Sequence, residues 1–487
     1  MFRMWSLYMK RNAMQCGVFW GAVALAGGWD VHADEAGISS LSYYADVFDG
    51  AGMDAGNYLA SVHREPASRS LAGQGGNTSS SVGLFDIVSM AVGSHPSIES
   101  SIGNVLRQEG LVDVARSGYY PQLSAGFNSG RLSSHGTSQV ATLSLSQMLY
   151  DFGKVRGRVG QAEGLARKQK ALVLSQVDSV ALQAAEAAIM VHRYQVLQVI
   201  AKEQIAAVRK VHEMAESRAG SGLASQSDPV QARTRVDSAR ANLFEIETSL
   251  SEWRERLRLL TNGPSEQWVA PIPENLEFVA KLDVPVDYNA LPEVIAANSE
   301  WQAAQSELES AKAQRYPTFA VEASSNQALS GVNPNNGEDQ GSFNTIMLTG
   351  SSFLYQGGAI SAQIRAANAG MAAAESLMAE AKLNAEERIA KAREQIRGAK
   401  KRLAVLVQRQ KSMLETRELY KEQYTLGSRS VLDLLNAEQE VYLATADKED
   451  SRHSLWMGVV NYIAASGRSR EAYALNGKTI HGVEVQR

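Results

Sequence analysis

Apolar positions recur between residues 155 and 219 in alternating steps of three and four: Val173, Val177, Val180, Ala184, Ala187, Val191, Tyr194, Gln198, Ala201, Ile205, Val208, His212 and Ala215. Only Gln198 and His212 interrupt this seam, and no proline falls within the stretch. A heptad sustained over this length predicts a coiled-coil helix rather than a short amphipathic one. At the usual rise per residue it would be roughly 100 Å long. A second, weaker seam (Leu182, Ala185, Ile189, Val196, Val199, Ala206) lies beside the first and predicts a neighbour on each side.

The chain carries this unit twice. Pro96 and Pro292 stand at the same offset as Pro121 and Pro317, and a slightly larger offset relates Tyr150 to Tyr355, Gly222 to Gly427 and Asp228 to Asp433. The extra residues of the second copy fall within Gln327–Gln340, a stretch rich in Asn, Gly and Ser, as an insertion at a loop tip would. Each unit reads as a helix (84–118; 291–315) stopped at Tyr-Pro, then a pair of short alternating runs (about 121–150; 317–355). A long helix follows (155–219; 359–424), then a tight turn and a shorter helix (229–261; 431–465). The two shorter helices of a unit together match its long one, so they can stack end to end beside it. The strands are about 10–13 residues long, enough to cross a bilayer when tilted.

One chain therefore supplies four strands. An open four-stranded sheet in lipid leaves two edges of unpaired N–H and C=O groups, each costing several kcal/mol. Two chains would give eight strands with a filled interior; three would give twelve, enough to leave a lumen. The same closure would turn the two-seamed helices into a hollow cylinder.

The remaining segments frame these repeats. Arg3, Lys10 and Arg11, the apolar run Ala13–Gly28 and Val31-His32-Ala33 predict a signal peptide over 1–33. The sole cysteine, Cys16, falls inside it, which leaves the processed chain without a thiol. Residues 34–81 form a low-complexity extension. Residues 263–288 hold Pro264, Pro271, Pro273 and Pro285, and their Trp268, Ile272, Leu276 and Phe278 predict a packed belt between the repeats (82–262 and 289–467). The tail, 468–487, is polar and expected to be loose. No later stretch is apolar enough for a transmembrane helix.

A net charge of −4, with acids and bases interleaved along the helices, argues against a nucleic-acid surface. Histidines show no metal-binding spacing; His192 and His212 read as solvated or seam positions. No nucleophile–base pair stands out, so neither an enzyme, a cofactor nor a metal is expected. Tyr150-Asp-Phe-Gly153 contains a kinase-like triplet without the loops a kinase needs, and reads as a strand-to-helix turn.

The turns after the two long helices are the informative loops. Gly222 and Gly427 are placed to end a helix in the left-handed region. Asp228-Pro229 reads as an N-cap with proline at the first helical position, and Ser430-x-x-Asp433 as a capping box. Taken alone these are well-capped turns.

The order helix, Tyr-Pro, strand pair, Leu-Tyr-x-x-Gly, long helix, Gly-x5-Asp turn and helix, performed twice from 82 to 467, resembles the TolC family of outer-membrane channel-tunnels. Leu426-Gly-Ser-Arg-Ser-Val-Leu-Asp-Leu-Leu-Asn-Ala437 is close to that family's second turn, and Gly222-Leu223 with Asp228 is similar to its first. The resemblance implies a homotrimer, mainly α with membrane β, in which four strands per chain share a 12-stranded barrel continuous with an α-helical barrel. It implies a place in the outer membrane, among its lipids, reaching into the periplasm. The turns would form the periplasmic entrance. Gly222, Leu223, Ala224, Ser225, Leu426, Gly427, Ser428 and Ser430 would meet a periplasmic adaptor, coupled to an inner-membrane ABC or proton-driven transporter. Tyr424 would bond Asp228, Arg429 would bond the Ser227 region, and Asp433 would line an acidic constriction. The chain departs from the family at Asn436, where a second acid is expected. Two functions stay open: an export duct of a type I secretion or efflux system, or a periplasmic coiled-coil adaptor or scaffold whose strands form a soluble domain. Strand length, alternation and duplication favour the duct.

Overall fold

The computed structural model describes residues 82–132, 136–263, 269–476, 479–480 and 483–484. The expected signal peptide and extension, with Pro264 and Trp268 of the connector, lie outside the described residues. Two compact units are present: one formed by Ser124–Ser144 and Ala323–Thr345, the other by the helices and the remaining strand ends.

In chain order the elements are α1 (Leu84–Ser94), α2 (Pro96–Arg116), β1 (Gln122–Leu132), β2 (Gly136–Tyr150), α3 (Lys154–Gly220), α4 (Ser227–Thr261), the single turn α5 (Leu276–Ala280), α6 (Pro292–Ala313), β3 (Thr318–Ser330), β4 (Ser342–Ser351), α7 (Ala359–Thr425), α8 (Val431–Ala465) and α9 (Ser469–Ala472). A two-residue strand pair, β5 (Thr479–Ile480) and β6 (Val483–Glu484), closes the described tail. The first predicted helix is broken at His95. Its ring Nδ1 accepts the amide of Ser97 at 3.3 Å, and Pro96 opens α2 with no hydrogen bond to lose.

The strands form one sheet in the order β1-β2-β3-β4, which leaves β1 and β4 as its edges. In the strand unit, Thr142 Oγ1 donates to Asn326 Oδ1 at 2.8 Å, and the Ser324 and Thr345 hydroxyls pair at 2.8 Å. The inserted loop after β3 is organised by buried Asn333, whose amide nitrogen donates to the carbonyls of Asn326 and Gly341.

In the helical unit α3 and α7 are each 67 residues long. Asp151 begins α3 by accepting the amides of Gly153 at 2.9 Å and Val155 at 2.6 Å, so the Asp-Phe-Gly triplet is a helix cap. α3 touches α1, α2, α4, α6 and α8, whereas α7 is packed by α6 and α8. The predicted first seam of α3 is buried from Val173 to Ala215, with Tyr194, Gln198 and His212 half-buried. The second seam holds at Ala185 and Ile189 but not beyond: Val199 and Ala206 are exposed, and Leu197, Ile200, Gln204 and Val211 are buried instead. A straight helix drifts against a strict heptad, so a stripe extrapolated from one end loses its facing. The glycines in the first turns of α3 permit a close crossing with α6. A Cβ on Gly157 would lie 2.6 Å from that of Ser310, and one on Gly164 would lie 2.8 Å from that of Ala303.

The shorter helices stack end to end in both repeats. α1 meets α4, and Gly467, just after α8, lies against Leu291 and Pro292 at the start of α6. The main core surrounds these junctions. Leu84, Ile87, Ile189, Leu276, Tyr462 and Ile463 are among its largest fully enclosed side chains, with Ile272 beside them. Phe278 departs from the predicted belt: it is 84% exposed.

Two further expectations need correction. One stretch of α3 is long and apolar enough for a candidate membrane span, but more than half of it is buried, so its apolar surface is spent on helix packing. The tail is not loose at its start. Arg468 donates to the carbonyls of Ala280, Lys281, Val284 and Pro285, and Tyr473 and Leu475 enter the core. Arg470 lies beside Asp178 on α3, whose carboxyl burial pushes up to about 6 despite that guanidinium.

Candidate functional site at the ends of the long helices

α3 and α7 both finish in a left-handed glycine. Gly222 has φ 72° and Gly427 φ 78°, a conformation that costs other residues more. The amide of Leu223 donates to Arg218 O at 2.9 Å and that of Ser428 to Gln423 O at 3.0 Å, satisfying carbonyls the helix leaves free. Above these bonds Leu223 is 71% and Leu426 83% exposed, with Ser225, Ser428 and Ser430 exposed around them. Ala224 is half-buried, and Ser225 Oγ pairs with Ser227 Oγ at 2.9 Å. Beneath lies a small core of Val208, Val211, Ala215, Ala232, Val236, Tyr424, Val431, Leu434 and Leu435.

The capping box is formed. Ser430 Oγ accepts the Asp433 amide at 3.2 Å, and the Asp433 carboxylate accepts the Ser430 amide at 3.3 Å and its hydroxyl at 2.8 Å. Those bonds, helped by Arg429, hold the Asp433 carboxyl below its ordinary range. Asp228 is not an N-cap: α4 starts at Ser227, so Asp228 and Pro229 stand within its first turn. There the carboxylate faces the positive end of the helix dipole.

The two expected ties are replaced by others. The Tyr424 hydroxyl is buried without a hydrogen-bond partner among the described residues, while the Asp228 carboxylate accepts the Ser227 hydroxyl at 3.4 Å. Burial raises the Tyr424 phenol above its ordinary value; Arg218 opposes that rise and Asp228 adds to it, so the acid acts at a distance. Arg429 stays on its own turn. It donates to Gln423 Oε1 at 3.0 Å, lies 4.2 Å from the Tyr420 ring centroid and 3.9 Å from Asp433. Within this chain neither tie is made: Arg429 takes acceptors on its own turn, and the Tyr424 ring is buried with its hydroxyl away from Asp228, which spacing does not show.

Arg218 and Arg235 make the polar ties between the two turns. From the last turn of α3, Arg218 Nη1 donates to Tyr424 O at 3.0 Å and Thr425 O at 3.1 Å, its guanidinium 5.0 Å from the Tyr424 ring centroid. On α4, Arg235 donates to the side-chain oxygen of Asn436 at 3.2 Å. A basic residue in the last helical turn is a legible signal for carbonyl capping; that it would cap the other repeat was not legible.

Along α3, His192 and His453 on α8 share a hydrogen bond of 2.9 Å, and both rings meet Trp456 edge-on. His453 Nδ1 also lies 2.7 Å from Glu449 O, which fixes it as the donor there and Nε2 as the acceptor from His192. His212 stands half-buried, 3.6 Å from Glu216. Among the described residues no group of three or more His, Cys, Asp or Glu side chains is arranged to hold a metal ion.

A family model described as "Outer membrane efflux protein" matches residues 87–263 and 290–460, one segment on each repeat. Among curated proteins the chain is 22% identical to the outer membrane protein TolC of Escherichia coli, over 80% of this chain and 83% of that one. It is 23% identical to the outer membrane efflux protein BepC of Brucella suis, a match spanning 59% of BepC. Among solved structures, the outer membrane protein VceC of Vibrio cholerae superposes with a TM-score of 0.69 at 18% identity, covering 79% of this chain and 96% of VceC. The outer-membrane channel OprN gives 0.68 at 18%, covering 79% and 89%.

Proposed function

Since the chain belongs to the outer membrane efflux protein family, we propose that three copies close into an export duct of a secretion or efflux system. The observation that carries this reading is the uneven cover of the helical unit. Among the described residues α3 has partners on both flanks, but α7 has partners on one, and its other face presents Leu383, Val405 and Leu419 to solvent. At the opposite flank α2 and α4 leave Leu106, Val114 and Phe244 exposed. The α7 face of one copy fits the α2–α4 face of the next, and repetition closes a ring. The sheet calls for the same closure, because the free edges of β1 and β4 are costly in hydrocarbon.

In this duct the two turns form the periplasmic entrance. Leu223 and Leu426, with the small residues around them, offer apolar tips to a helical adaptor, which brings an inner-membrane ABC or proton-driven transporter. Asp228, Tyr424 and Arg429 shape the constriction by packing and charge. Asp433 contributes a ring of carboxylates, weakened because each is engaged by Ser430 and lies near Arg429. Reconstitution of the purified full-length protein into planar lipid bilayers tests the reading. Discrete current steps are expected; a water-soluble protein that inserts nowhere and carries no current would overturn it.

A further inference from the structure

α3 and α7 end side by side, and each leaves C-terminal carbonyls carrying about half a negative charge at its tip. Two such ends repel unless a cation lies between them. Arg218 supplies it: the side chain leaves α3 and caps α7, donating to the carbonyls of Tyr424 and Thr425. It is held over the Tyr424 ring, and a Cβ on Gly427 would touch its Nη2 at 3.4 Å. Its buried Nε has no partner among the described residues, so the neighbours, not a full set of bonds, fix its position.

The arrangement is not reciprocal. The repeat places Gln423 where the first copy has Arg218. Gln423 serves its own turn, its backbone oxygen accepting Ser428 and its side-chain oxygen accepting Arg429. The tie therefore runs one way, from the first repeat to the second.

We infer that Arg218 is the positioning residue that holds the end of α7 against the end of α3, and so keeps the two turns together at the mouth of the duct. This rests on reading the turns as the entrance. Charge-assisted hydrogen bonds of this kind shift an equilibrium by about tenfold or more when lost. Tyr424 contributes its ring face and not its hydroxyl.

The test compares full-length wild type, Arg218→Ala and Arg218→Lys in planar bilayers, with hydrogen exchange read at Leu426, Gly427 and Ser428. Arg218→Ala should raise mean conductance and exchange at these amides about tenfold or more, while the thermal unfolding midpoint of the assembly stays put. Arg218→Lys keeps the charge but not the fork and should recover part of both effects. Wild-type current with unchanged conductance and exchange in Arg218→Ala would overturn the inference. If the wild type carries no current, the duct reading fails, and the exchange data alone still decide whether Arg218 ties the turns. Should Arg218→Ala not assemble, Arg218→Lys decides: exchange equal to wild type refutes the tie.

Discussion

The two long helices have the same length and the same place in their repeats, yet their surroundings differ. α3 carries buried side chains at intervals from Val155 to Ala219, whereas α7 encloses only Ala367, Ala374, Ala385, Ile389, Ala392, Ile396, Leu406 and Tyr424. Helix propensity fixes the rod; neighbours decide what its faces carry. α3 found its neighbours within the chain and filled its seam with alanine and valine at close range. α7 kept exposed leucine and valine on one face, an arrangement that stabilises nothing in a single chain and is explained by a second one.

The largest effect expected from this contrast comes from charging the open face. Leu383→Arg combined with Val405→Arg, two side chains 65% and 69% exposed, should leave helix content by circular dichroism unchanged and abolish the trimer on detergent size exclusion. On α3 a steric change acts on the protomer instead. Gly157→Leu drives a side chain into the backbone of Ser310 and should cost about 3 kcal/mol or more, lowering the thermal midpoint. Gly370→Ala on α7, with nothing within 4 Å of an added Cβ, should cost a protomer nothing.

The His192–His453 pair sharpens the contrast through pH. Burial, the main cause, holds His453 down at about 4, while a free imidazole takes its proton near 6.5. The unfolded chain thus binds the proton first on acidification. Stability due to this site is complete above about pH 6.5 and is lost as the pH falls towards 4, by at most about 3 kcal/mol. Unfolding midpoints between pH 7 and 4 should fall less steeply in His453→Gln. The smallest effect is that of Tyr424→Phe on stability. Removing a buried hydroxyl without a partner should change it by less than about 0.5 kcal/mol; a larger loss would mean that the phenol has a partner after all.

Much of the fold was legible because it rests on covalent and periodic rules. Tyr-Pro stops placed the helix ends before β1 and β3, and the internal offset placed the insertion between β3 and β4. Helix-favouring composition placed α3, and the internal repeat placed α7, to within a residue at each end. Propensity smoothed over the break at His95, since Pro96 suits a helix start as well as a helix stop. The polar tail was misjudged because Tyr473 and Leu475 are too few to show a period, though they reach the core. At the turns, glycine φ and the Ser430–Asp433 box followed from local stereochemistry. The ties of Arg218 and Arg235 depend on which side chain of another repeat is within reach, and that is a property of the packed molecule.

Native mass spectrometry of the detergent-extracted full-length protein tests the central claim most directly, since it counts the chains that cover the bare flank of α7. Three chains are predicted, collapsing to one when Leu383 and Val405 carry charge. A folded wild-type species of one chain would contradict it.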